Sequence, residues 1–227
     1  MKLSELKIIS RKLAKMAVFA IVVMIAVVSP ANGQSEGQWG ISASGAYSMP
    51  IGSLSDWFKP AGNYSMAIGQ QFNANWFIEG LVEYSKFDSE NLSGYPSGKV
   101  DLSLEHIAFW ASGRFWLGSE SAIRPYFHLA GGVLYWKGVR GEIPADDTIS
   151  PALPFIPKRT LEEWNWGART GVGVQLLFGN SLALDAMLNY RFIVGELWPT
   201  LQPPIELDGV SGLQTLNFAL GLRYYLK

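Results

Sequence analysis

The stretch at residues 214–226 constrains this chain more than any other. With a period of two, Leu216, Phe218, Leu220, Leu222, Tyr224 and Leu226 fall on one face, and Thr215, Asn217, Ala219, Gly221, Arg223 and Tyr225 fall on the other. That alternation predicts a β-strand. One face is apolar throughout, while the other mixes small and polar groups with a single charge. A strand built this way reads as the closing strand of a transmembrane β-barrel, with lipid against its apolar face.

Seven further segments alternate in the same manner. Residues 39–48 set Trp39, Ile41, Ala43 and Tyr47 against Ser42, Ser44 and Ser48, and residues 63–72 set Tyr64, Met66, Ile68 and Phe72 against Asn63, Ser65 and Gln71. In residues 76–87, Trp76, Ile78, Val82 and Tyr84 oppose Glu79, Glu83 and Ser85. Residues 100–117 change phase: Leu102 and Leu104 are evenly spaced, but Ile107, Phe109, Ala111, Phe115 and Leu117 follow one residue out of step. Such a slip predicts a β-bulge near Glu105 and His106. Residues 123–136, 164–178 and 182–193 complete the set, the last with Asp185, Asn189 and Arg191 on its polar face.

The connections alternate in length. Long ones cover residues 52–62, 88–99, 137–162 and 194–212; short ones cover 73–75, 118–121 and 179–181. An even number of strands with this rhythm predicts an all-β fold, an eight-stranded antiparallel up-and-down transmembrane barrel with short periplasmic turns and longer extracellular loops. Charged residues make up 16% of the chain against roughly 25% in a soluble domain, so much of the surface is expected not to face water.

Residues 1–33 read as an export signal. Lys2, Lys7, Arg11, Lys12 and Lys15 precede an apolar run at 16–28, which Ser29 and Pro30 end. About thirteen apolar residues are too few for a membrane-spanning helix, which needs ~20, and Ala31 and Gly33 form a small-x-small cleavage site. Cleavage would leave residues 34–227 as one barrel domain in the bacterial outer membrane. A net charge of −1 offers no basic field for nucleic acid. The lack of cysteine excludes disulfides, thiolate metal sites, a cysteine nucleophile and a lipidated N-terminal cysteine.

Alternation alone does not say which face meets lipid, because a soluble barrel would turn its apolar face inward. Charge decides. Arg114, Arg169, Arg191 and Arg223 share the face of the small polar residues, and an Arg facing lipid at the bilayer midplane costs about 2–4 kcal/mol. The polar face must therefore line the lumen.

With these residues in view, residues 38–227 resemble the eight-stranded outer-membrane β-barrel family, of the OmpA membrane-domain and OmpX type. The stretch at 219–226, with Gly221, Tyr224 and Leu226, is similar to the C-terminal signal by which such barrels are recognised for assembly, although Ala219 replaces the usual polar residue and Lys227 the usual terminal aromatic. The resemblance implies outer-membrane lipid as solvent and the barrel-assembly machinery as a partner during biogenesis. It leaves adhesins, structural anchors, narrow pores and lipid-modifying enzymes open.

Glu79, Glu83 and Asp185 share the lumen face with the four Arg, and Glu105 or His106 is expected beside them at the bulge. An eight-stranded barrel is only wide enough for side chains to fill, so these charges are expected to pair as a structural network with no catalytic role. His106 and His128 fall inward and lack the His-x-Ser pairing of lipid A deacylases, and no ligand spacing or nucleotide motif implies a metal or cofactor. Trp57, Phe58, Phe155, Ile156 and Trp198 put large apolar groups at loop tips, where they either contact an extracellular partner or pack on the barrel rim. The expected function is a monomeric, non-enzymatic structural or surface-interaction barrel. A narrow channel or binder of small hydrophobic molecules is the alternative, with a lipid-modifying enzyme third.

Overall fold

Alternating strands can close on themselves only if every neighbour assigns its faces the same way, and all eight do so here. The computed structural model describes residues 36–89, 101–118, 121–142, 144–145, 147–148, 155–197 and 210–226. The export signal expected at residues 1–33 and the loop residue Trp198 lie outside the described residues. The strands are β1 (Trp39–Ile51), β2 (Ala61–Gln71), β3 (Trp76–Phe87), β4 (Leu102–Trp116), β5 (Ile123–Arg140), β6 (Arg159–Phe178), β7 (Leu182–Leu197) and β8 (Val210–Tyr225). One helical turn, α1 (Leu54–Trp57), occupies the first long connection. Each strand pairs antiparallel with its sequence neighbour and β8 pairs with β1, closing the barrel.

Side chains follow the predicted faces. Met66 is 72% exposed and Leu129 66%, whereas Glu79 is 2% exposed and Arg223 1%. The apolar set is therefore the outer wall and the polar set the lumen. A wall of this kind is stable only against hydrocarbon, since an exposed apolar patch of this extent in water would drive association. Two registered rows rich in aromatics mark its limits. Near the long loops Tyr64, Tyr84, Ile107, Tyr135 and Trp164 lie side by side across β2 to β6; near the short turns Trp76, Phe115 and Phe127 do so across β3 to β5.

The next outward row beyond Tyr84 is Lys86, Glu105, Lys137 and Glu162, alternating in charge across β3 to β6. Tyr84 donates its hydroxyl to Glu105 Oε1 at 2.9 Å, Tyr135 donates to Glu162 Oε2 at 2.6 Å, and Lys137 Nζ lies 2.5 Å from Glu162 Oε1. Aromatic rings with wet hydroxyls, followed at once by charges, are what the edge of a hydrocarbon layer selects.

The structure corrects the sequence reading of β4. Its register with β3 and β5 runs without a shift from Leu102 to Trp116, so there is no bulge at Glu105 and His106. Leu102, Leu104, His106, Ala108 and Trp110 all point inward, and Glu105 faces out. The apparent phase change arose because Leu102 and Leu104 are apolar lumen residues near the barrel mouth. A register shift does occur where β7 meets β8, between Ile193 and Glu196. Strands β5 and β6 also run on past their alternating runs, to Arg140 and from Arg159.

The face assignment predicts the effect of Leu188→Arg. Leu188 sits outward in mid-β7 between Val172 and Phe218, so the guanidinium would meet hydrocarbon at a cost of about 2–4 kcal/mol. Folding into lipid vesicles should fall accordingly, and folding equal to wild type would reverse the two faces.

Candidate functional site

The lumen carries the chemistry of this chain, and its filling is layered. At the long-loop end, buried apolar side chains form a cap. Leu54, Trp57 and Phe58 descend from α1 and its C-terminus to meet Phe87, Leu102, Leu104, Trp136, Ile156 and Leu213. At the short-turn end Phe77, Trp116, Tyr126, Leu177 and Tyr225 form a second cap. Between the caps lie two clusters of charge.

The cluster nearer the short turns centres on Glu79 of β3. Its Oε1 accepts from Arg114 Nε at 2.8 Å and from Ser112 Oγ at 3.2 Å, and its Oε2 accepts from Arg223 Nη2 at 2.5 Å. Arg114 turns its Nη1 to Asp185 of β7 and to the hydroxyl of Tyr126 at 3.2 Å, and Tyr126 itself donates to Asp185. Arg223 also stacks over Phe77 with its guanidinium 4.3 Å from the ring centroid. Charge and apolar cap are thus joined through the faces of the arginines.

The second cluster centres on Glu83, two pleats further along β3. Arg169 Nη1 donates to its Oε2 at 2.8 Å, and Arg191 donates to its Oε1. Arg191 Nε donates to Thr215 Oγ1 at 3.0 Å, and its Nη1 lies 2.7 Å from His106 Nε2. Alongside, Asn217 Nδ2 donates to Asn189 Oδ1 at 3.0 Å, and Ser48 donates to Asn217. All seven predicted charges are brought into the lumen, with three carboxylates each held by at least one guanidinium.

Several partners had no separate signal in the sequence. Ser112, Tyr126 and Thr215 share strand faces with Arg114, His128 and Arg223, and only the three-dimensional closure makes them ligands of charge. Arg140, near the barrel mouth, is buried and donates to the carbonyl of Pro157 at 3.1 Å. The proposed loop contacts divide. Trp57, Phe58 and Ile156 are buried in the outer cap, so the rim-packing alternative holds for them, while Phe155 is 58% exposed. Among the described residues no group of three or more His, Asp or Glu is disposed to hold a metal ion. A cavity of about 20 Å³ beside β1, lined by Ser42, Ser44, Ser65, Arg114, Asp185 and Gly221 among others, has room for little more than a water molecule.

No protein-family model matches the sequence, and no curated protein matches it. Solved structures do. Neisserial surface protein A superposes with a TM-score of 0.52 at 15% identity, over 82% of this chain and 96% of that one. Ail, the attachment invasion locus protein of Yersinia pestis, gives 0.49 at 15% identity over 85% and 100%, and OprG from Pseudomonas aeruginosa gives 0.43 at 13% over 86% and 99%. The chain has the fold of the eight-stranded outer-membrane barrels, and its exposed apolar belt is a membrane-spanning surface.

Proposed function

We propose that this chain is a non-enzymatic outer-membrane barrel with a closed lumen, acting as a structural or surface-contact element through the long loops. One observation carries the reading: two apolar caps enclose two salt-bridged clusters, so side chains fill the path that a solute would need. Buried carboxylates paired with guanidinium groups hold strands on opposite walls together, as Arg191 of β7 does with Glu83 of β3. Both histidines are buried in the lumen, where neither lipid nor an aqueous substrate reaches them. Surface contact would fall to the loops at the long-connection end, with Phe155 as the large exposed hydrophobic among the described residues of the β5–β6 connection.

Osmotic swelling of proteoliposomes tests the reading. Vesicles carrying the folded barrel should swell in small sugars and amino acids no faster than empty ones. Swelling that scales with protein content would favour transport through the barrel instead.

A further inference from the structure

We propose that His106 couples the outer apolar cap to the charge cluster beneath it, so that protonation of its imidazole loosens the cap and acid opens the long-loop end of the barrel. This inference rests on the closed-lumen reading. His106 is 3% exposed on the lumen face of β4 and stands between the two layers. Its ring stacks on Phe87 with centroids 6.5 Å apart at 25°, and Phe87 lies 6.1 Å from Phe58 at the end of α1. On its other side His106 Nε2 is 2.7 Å from Arg191 Nη1 and 3.6 Å from Glu83 Oε1. One imidazole thus touches both the apolar layer that closes the mouth and the ion pairs that brace the wall.

The contact with Arg191 identifies the protonation state to which this arrangement belongs. A guanidinium has donors only and does not lose its proton, so Nε2 must be the bare acceptor of a neutral imidazole. A proton taken up from water at Nε2 converts that acceptor into a donor aimed at another donor. The charged groups facing the ring are Glu83 of β3, Arg191 of β7 and Arg169 of β6, whose Nη1 shares Glu83. From β5 its registered neighbour is the uncharged Trp136, and β8 contributes Thr215 through Arg191. Protonation would therefore set three cations around one carboxylate. The imidazolium can bond Glu83 only by displacing Arg191, or must move off it, and either course shifts the ring from Phe87 and removes the support beneath Phe58. Histidine is the side chain that gains charge as the pH falls below neutral.

The absence of cysteine makes the cap accessible to a single-thiol experiment. Leu54→Cys puts a thiol in the cap, where Leu54 is 1% exposed, and Lys59→Cys puts one on the exposed rim as the reference for thiol reactivity at each pH. Both variants are placed as full barrels in phosphatidylcholine vesicles and treated with a water-soluble methanethiosulfonate. The labelling rate of Leu54→Cys divided by that of Lys59→Cys should rise about tenfold from about pH 7.5 to about pH 4. With His106→Gln added to each, which keeps an acceptor but cannot titrate, the ratio should stay low at both pH values. His106→Phe, which keeps the stacking, provides the same test if the Gln variant fails to fold. A low ratio at both pH values with His106 present, or an acid rise that persists in either His106 variant, overturns the inference. Labelling of Leu54→Cys as fast as Lys59→Cys already near neutral pH would overturn the closed-lumen reading, and this inference with it.

Discussion

Glu79→Ala should lower the stability of the barrel by about 3–5 kcal/mol, the usual result of removing one side of a buried ion pair. Glu79 holds Arg114 and Arg223 at once, and it is the carboxylate bonded to Arg223. Arg114 would keep Asp185, but Arg223, 1% exposed, would retain its charge without its carboxylate. Lys137→Ala is the matched control. That lysine also pairs with a carboxylate, Glu162, yet their side chains are 46% and 42% exposed, and water and salt screen an exposed pair so that it contributes little. Urea unfolding in one lipid, read by heat-modifiable migration, compares the two. Equal losses in the two variants would mean that water reaches Glu79 and that the lumen is not a dry core.

Gly173→Val should cost about 3 kcal/mol or more through an indirect route. A Cβ at position 173 would lie 2.3 Å from Cζ of Tyr126 and 2.4 Å from its hydroxyl oxygen, so the phenol ring must leave. Its departure breaks the bonds of Tyr126 to Asp185 and Arg114 and the edge contact with Trp116, whose ring centroid is 5.1 Å away. Gly173 is thus the space into which the Tyr126 side chain fits. By contrast Gly45 faces outward, and a Cβ there meets nothing within 4 Å. Gly45→Ala should leave stability within about 0.5 kcal/mol. The same unfolding measurement decides, and a Gly173→Val barrel as stable as Gly45→Ala would mean that Tyr126 takes no part in the network.

These two variants also mark where the sequence was readable. Glu79 declares its face through strict alternation with Ile78, Val82 and Tyr84, so period two in the middle of a strand assigns it to the lumen. Gly173 is assigned to the same face, but nothing in its neighbours on β6 tells that a tyrosine of β5 needs its missing side chain. Alternation also fails at the barrel ends, where both faces become apolar. Leu102 and Leu104 belong to the cap, as do Trp57, Phe58 and Ile156, and an apolar residue in a cap has the same composition as one in lipid. The extensions of β5 and β6 escaped for the opposite reason. Beyond the hydrocarbon edge, Lys137 and Glu162 face water beside Val139, so polar and apolar residues share the outer face and no period shows.

Single-channel recording in a planar bilayer tests the central claim most directly. With both caps closed and the charges between them paired, the wild-type barrel at neutral pH and high salt should give a baseline indistinguishable from protein-free membrane. A stable ohmic current, appearing in discrete steps as each barrel inserts, would contradict the account and make the lumen an aqueous pore.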